Sequence, residues 1–240
     1  MKRKYFFTFL FLSFILTLQS FQCEPEIKDD SRILIKGSLV DSNNNPLPNI
    51  SVRCQSSYII LGESYSDANG QFQFTSLETE TNNPLNIMVN LKTDGYNYYG
   101  GGYNNYELTE NPNYSAKKYF NDAINRKTST TYNLGQIKLN EAAHLNLLFT
   151  NVPGDNNRVA YKLEFQSAVC AIDLNVNNPE DCLIDEEYYN QLDINSTSFQ
   201  TNLDSQLGTS VLLKYILNDE PEQTITIPLT NLENTYVFEY

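Results

Sequence analysis

From Ile33 to Tyr240 the chain repeatedly changes hydrophobicity with a period of two. Val159-x-Tyr161-x-Leu163-x-Phe165 and Leu145-x-Leu147-x-Phe149 are the most regular runs. Side chains alternate faces only in an extended strand, so this pattern specifies half-buried strands. Further runs lie at Ile33–Val40, Ile50–Cys54, Gly62–Ser66, Gln71–Phe74, Leu85–Lys92 and Thr131–Leu139. Others follow at Ser198–Leu203, Ser210–Leu217, Thr224–Leu229 and Tyr236–Tyr240. Turn formers such as Asp41-Ser42-Asn43-Asn44-Asn45-Pro46 and Asp67-Ala68-Asn69-Gly70 separate the runs. The expectation is an all-β protein with two tandem antiparallel Greek-key β-sandwich domains, at 33–140 and 141–240. One or two short helices are also expected. Ser115 can cap one over about 115–125. Asn178-Pro179-Glu180-Asp181 reads as the start of another that ends near Gln191.

The N-terminal segment has a different grammar. Lys2, Arg3 and Lys4 precede the apolar run Tyr5–Leu18, broken only by Thr8, Ser13 and Thr17. That run is too short to span a bilayer core, which takes about 20 residues. Residues 1–22 therefore read as a secretory signal peptide. Cys23 follows directly, and Leu18-Gln19-Ser20-Phe21-Gln22-Cys23 resembles a bacterial lipobox. Gln22 stands where the strict form has a small residue. The resemblance implies lipidation of Cys23 and attachment to a membrane through that lipid. The acidic stretch up to Arg32 then reads as a tether, 23–32. The expected location is outside the cytoplasm, at the outer membrane or cell surface, or otherwise periplasmic or secreted.

Export makes oxidation available, and Cys170 and Cys182 are spaced for a local disulfide. In the chain-entropy picture such a bridge contributes about 3 kcal/mol. Cys54 sits in an apolar strand-like run and reads as a buried thiol.

Three spaced motifs carry a family resemblance. They are Gly37-x-Leu39-x-Asp41, Pro46-Leu47-Pro48-Asn49-Ile50-x-Val52 and Ser66-Asp67-Ala68-Asn69-Gly70-x-Phe72-x-Phe74. Their order resembles the carboxypeptidase regulatory-like domain, a small transthyretin-like β-sandwich. Leu39, Ile50 and Ser66 are mild departures from its usual pattern. The resemblance implies an accessory module with no active site of its own.

The formal charge is −13, and removal of 1–22 leaves 13 basic residues against 29 acidic, a net of −16. Such a surface repels phosphate backbones, so no nucleic-acid partner is expected. His144 is the sole histidine. It has no nucleophile motif beside it and no companions for a zinc site. No phosphate loop or dinucleotide fingerprint is present. Asp67-x-Asn69 reads as turn chemistry in preference to calcium binding. Asp181, Asp185, Glu186 and Glu187 read as a solvated helix face. No cofactor, no metal and no catalytic residue is expected. An envelope hydrolase using paired carboxylates and an accessory subunit of an outer-membrane complex are the competing readings.

Residues 94–127 read as an insertion in the first domain. Six tyrosines and four glycines fall within 94–114. Tyrosine offers flat amphipathic contact area at small rotamer cost, and glycine offers backbone freedom. Tyr96, Tyr98, Tyr99, Tyr103 and Tyr106 are therefore the candidate ligand contacts, for a glycan or a protein.

Overall fold

The computed structural model of the protein describes residues 27–56, 59–79, 83–92, 109–121, 129–152, 154–175, 181–185 and 188–240. The signal-peptide reading, Cys23 and the five candidate tyrosines lie outside them. The chain is all-β. In the first half the strands are β1 (Ile27–Val40), β2 (Ser51–Ser56), β3 (Ile59–Tyr65), β4 (Gln71–Thr79), β5 (Leu85–Val89), β6 (Ala116–Asn121) and β7 (Thr131–Lys138). In the second half they are β8 (Ala142–Thr150), β9 (Val159–Asp173), β10 (Asp181–Asp185), β11 (Asn190–Leu192), β12 (Ser198–Gln206), β13 (Ser210–Leu217), β14 (Gln223–Pro228) and β15 (Glu233–Glu239).

Three expectations are corrected. The described residues contain no helix: 116–121 of the expected 115–125 helix is β6, and the expected 179–191 helix contains β10 and part of β11. Each of these segments is adjacent to a strand that needs hydrogen-bonding partners. β6 lies between β5 and β9, where its ladder bonds outweigh the capping signal at Ser115. β10 is held against β9 by its ladder and by the Cys170–Cys182 bridge. The sheets are mixed rather than antiparallel, because β1–β7, β6–β9 and β8–β15 pair in parallel. Finally, β1 begins at Ile27, within the segment read as tether, and Ile27 pairs with Thr79.

The three motifs converge on one corner of the first sandwich. Asp67 Oδ1 accepts from the Asn69 and Gln71 amides, each at 2.8 Å, which closes the turn before β4. Gly70 (φ 73°) then lets its carbonyl accept from the Leu39 amide at 2.8 Å. Leu47 donates to the Leu39 carbonyl at 3.0 Å, and the buried Ser66 hydroxyl links the Leu47 carbonyl to the Ile50 amide. The turn at Asp41 uses the same device: Asp41 Oδ1 accepts from the Asn43 and Asn45 amides. The Asn45 side-chain amide holds the Asp41 carboxyl below the usual carboxylate range. Asp155–Asn157, Asp173–Asn175 and Asp193–Asn195 repeat the two-residue span, so part of the asparagine content is turn chemistry.

Two main cores form. In the first, Ile33, Ile35, Leu39, Ile50, Val52, Ile87 and Tyr119 meet between β4-β1-β7 and β3-β2-β5-β6. In the second, Leu145, Leu147, Phe149, Tyr161, Leu163, Phe165 and Phe238 meet between β15-β8-β12 and the strands β9 and β13. Strand β9 serves both. Val159, Tyr161, Leu163 and Phe165 are buried in its first half, whereas Ala168 and Cys170 are buried in its second. The phase changes at Gln166–Ser167, and beyond it Ile172 packs against the first core. A register irregularity in the β9–β10 ladder, where Ala171 faces Asp181 and Gln166 faces Leu183, accompanies the change. On one edge β9 carries β10 and β11. On its other edge β13 covers the first half and β6 the second, since Glu164 is flanked by Asp185 and Leu212, and Ala171 by Asp181 and Lys118. Gln206, almost fully buried, ties the junction: its Nε2 donates to the Ser167 carbonyl at 2.8 Å, and its Oε1 accepts from Asn140 at 2.5 Å.

Candidate functional site

The described residues on either side of the Tyr/Gly-rich segment meet. Leu91 and Thr109 form an antiparallel bridge, and the Glu110 amide donates to the Asn90 carbonyl at 2.9 Å. Asn90 organises this stem. It is fully buried and takes φ 57°, a left-handed conformation that asparagine tolerates better than most residues. Its Nδ2 lies 3.0 Å from the carbonyls of Asn111, Tyr114 and Ser115, and its Oδ1 accepts from the Asn111 amide at 2.8 Å. One side chain thus satisfies backbone groups that would otherwise be buried unbonded.

Arg53 on β2 makes the second lock. Its Nη1 donates to the Leu91 carbonyl at 3.2 Å, on the outgoing side of the stem. Its Nη1 and Nη2 grip the two Glu110 oxygens at 3.0 and 3.1 Å, on the returning side. Its Nε reaches Glu63 on β3 at 3.2 Å. Burial opposes the guanidinium charge, but the Glu63 and Glu110 carboxylates more than offset it and hold the group above its ordinary range. Nη2 makes the one hydrogen bond to Glu110, at Oε1, and the Nη1–Oε2 approach adds an ion contact beside it. Beneath the stem, Met88, Leu91 and Ala116 bury together against Val169 as a small third cluster.

Replacing Asn90 by Ala is expected to lower stability by about 2–3 kcal/mol, because several backbone groups lose their partner in a buried setting. The loss should be local: hydrogen exchange at 110–116 speeds up. Unchanged protection there would show that Asn90 does not hold the stem.

The remaining candidates are dispersed. Cys170 and Cys182 are bonded across β9 and β10, with Cα atoms 4.2 Å apart, and Gln206 Nε2 lies 3.3 Å from Cys170 Sγ. Cys54 is buried in the first core. His144 lies on β8 in the second half, where its Nδ1 meets Asp204 Oδ1 on β12 at 2.5 Å, with both side chains partly exposed. Cys54 and His144 thus belong to different sandwiches and form no catalytic pair. Asp67 is committed to its own turn. Of Asp181, Asp185, Glu186 and Glu187, the first two lie on β10. Among the described residues no group of three or more His, Cys, Asp or Glu side chains gathers as a metal site would require. Glu63 and Glu110 converge on Arg53, which offsets one of their two negative charges.

Arg53, Asn90 and Glu110 escape the sequence reading. One signal is available: an asparagine directly after the buried run Leu85–Val89, at the threshold of a Gly/Tyr-rich stretch, marks a left-handed turn. Arg53 gives none, since its partners are 10 to 57 residues away.

No family model matches the chain, and no curated protein does. Among solved structures it is similar to the TIE protein of Bacillus anthracis, at 9% identity over 87% of this chain and 34% of that one, TM-score 0.30. It is also similar to a putative cell adhesion protein of Bacteroides ovatus, at 11% identity over 88% of this chain and 92% of that one, TM-score 0.27. The tip fimbrial protein Mfa3 of Porphyromonas gingivalis gives 10% identity over 82% and 81%, TM-score 0.28. This chain spans about a third of the first of these. At TM-scores of 0.27–0.30 these likenesses carry no argument about function.

Proposed function

We propose that this is a non-catalytic, lipid-anchored cell-envelope protein that binds a glycan or protein ligand through residues 96–106. The observation that supports the reading is the stem: Asn90 and the Arg53–Glu110 ion pair hold together the residues on either side of the Tyr/Gly-rich segment, just beyond the end of β5. Binding loops are commonly presented this way, as variable sequence on a fixed base. The tyrosines Tyr96, Tyr98, Tyr99, Tyr103 and Tyr106 supply stacking area for sugar rings or apolar side chains. The charged start, the short apolar run and Cys23 support export and anchoring. The three converging motifs support a carboxypeptidase regulatory-like module at 33–140 acting as a scaffold.

The test is to replace residues 96–106 by a short Gly-Ser linker, which leaves Asn90, Arg53 and Glu110 in place. Binding of the variant to glycan arrays, matrix proteins and host cells is then compared with that of the parent. Loss of binding with an unchanged melting temperature is the expected result. Equal binding would overturn the assignment of the segment. Cys23→Ser, followed by intact-mass measurement of the membrane fraction, tests the anchor: the parent should carry acyl mass and the variant should leave the membrane.

A further inference from the structure

A second surface lies away from the stem, on the outer face of β4-β1-β7. The ladders set three rows across it: Thr75, Leu34 and Thr131; Gln73, Lys36 and Asn133; Gln71, Ser38 and Gln136. Arg32 and Lys138 extend it at either end of the β1–β7 ladder. On a chain of net charge −13, these rows and their ends contain three cations and no carboxylate. Two acids stand beside them, Asp67 and Asp41, each hydrogen-bonded within its own turn, so the cations outnumber the carboxylates by three to two.

The face is also indented. The β1–β7 ladder slips between Lys36 and Ser38, and Gly135 takes φ 65° at the slip. The backbones close up there: a Cβ on Gly37 would lie 2.8 Å from the Phe72 ring and 2.9 Å from the Gly135 carbonyl. The result is a depression of about 480 Å³, lined at its base by Gly37, Phe72 and Gly135 and at its sides by Lys36, Asp67, Gln71, Gln73 and Asn133. That volume lies within the usual range of small-molecule sites, about 300–1,000 Å³. The side chains of Lys36, Gln71 and Gln73 make no hydrogen bond or ion pair within the described residues, so their donors and acceptors point to solvent uncommitted.

We infer that this depression binds an acidic glycan, a polyhydroxylated chain bearing carboxylates. Carboxamides both donate and accept, which suits vicinal sugar hydroxyls. Lys36, with Arg32 and Lys138 further out, supplies the charge complement for sugar carboxylates. A phosphodiester polymer is the less favoured occupant, because the aromatic residue in the lining, Phe72, is buried and offers no exposed ring on which bases would stack. This site is independent of residues 96–106.

The probe is tetragalacturonate, titrated into the full exported chain by calorimetry and by amide-shift mapping, with maltotetraose and a thymidine decanucleotide as comparisons. Saturable binding of tetragalacturonate that shifts the amides of 36–38, 71–73 and 133–136 is expected, weakening as salt is raised. Lys36→Glu should weaken it by about tenfold or more, since attraction becomes repulsion. Gln73→Ala, which touches no core residue, should weaken it by a few-fold without altering the melting temperature. The 96–106 linker variant should bind the probe like the parent, so failure of one site is distinguishable from failure of the other. Absence of saturable binding, equal binding of maltotetraose, tighter binding of the decanucleotide, or indifference to both substitutions would each overturn the inference.

Discussion

Phe149→Ala is expected to destabilise the protein by about 3–5 kcal/mol and to move the unfolding of both cores together. Phe149 is fully buried on β8, between β12 and β15, with its ring centroid 4.2 Å from Tyr161 and 5.7 Å from Phe238. Truncation leaves a cavity where three strands meet, and paired ladders on both sides resist collapse into it. Tyr161 lies on β9, whose far end carries Ile172 into the first core and pairs with β6. Loss of the second core therefore removes half the support of a strand the first core uses. Urea unfolding followed by near-ultraviolet dichroism, and by hydrogen exchange at β1 and β8, should show one transition. Its midpoint should fall with the denaturant slope unchanged. Two separate transitions, with only the β8 amides affected, would show that the sandwiches unfold independently despite the shared strand.

The second large effect is Gly70→Ala, with an expected loss of at least about 2 kcal/mol. Two penalties combine. Gly70 has φ 73°, where a Cβ costs about 1–2 kcal/mol in most contexts. That Cβ would also lie 2.3 Å from the Leu39 carbonyl, which is backbone and cannot swing aside. Relief requires the Asp67 turn to move off β1, stretching the Leu39–Gly70 bond and the Ser66 bridge to Leu47 and Ile50. The comparison is Gly208→Ala, also at positive φ but with open space around the new methyl. Thermal melts should place Gly70→Ala well below Gly208→Ala. Equal shifts would mean that backbone conformation alone, and not the close approach to β1, fixes glycine at position 70.

The two penalties also separate what is local from what is not. The Asp67-Ala68-Asn69-Gly70 turn is legible in sequence because its hydrogen bonds close within a few residues. The alternation of β8 is legible for the same reason, since its burial follows the pleat of a single strand. The segments read as helices failed where a local capping signal met a neighbouring strand. Ser115 can cap a helix, but its amide donates to Asn140 and its hydroxyl accepts from the Asn140 amide. The stem shows the same limit. Asn90 carries a local signal, whereas Arg53 needs β2, β3 and the segment beginning at Thr109 to be in place before its partners exist.

By itself, then, the sequence determined the strand character of the chain, the turn chemistry at Asp41 and Asp67, the lone position of His144 and the acidic balance. All of these are set by neighbouring residues or by simple counts. The tertiary structure decided which strands pair, and here that decision is non-local. Parallel β6–β9 pairing joins residues about 50 apart and draws β9 into both cores, with the burial phase reversing at Ser167. A strand's own pattern records which of its faces is apolar. It does not record which neighbours lie along its edges, because ladder bonds are made by the backbone, which every residue shares.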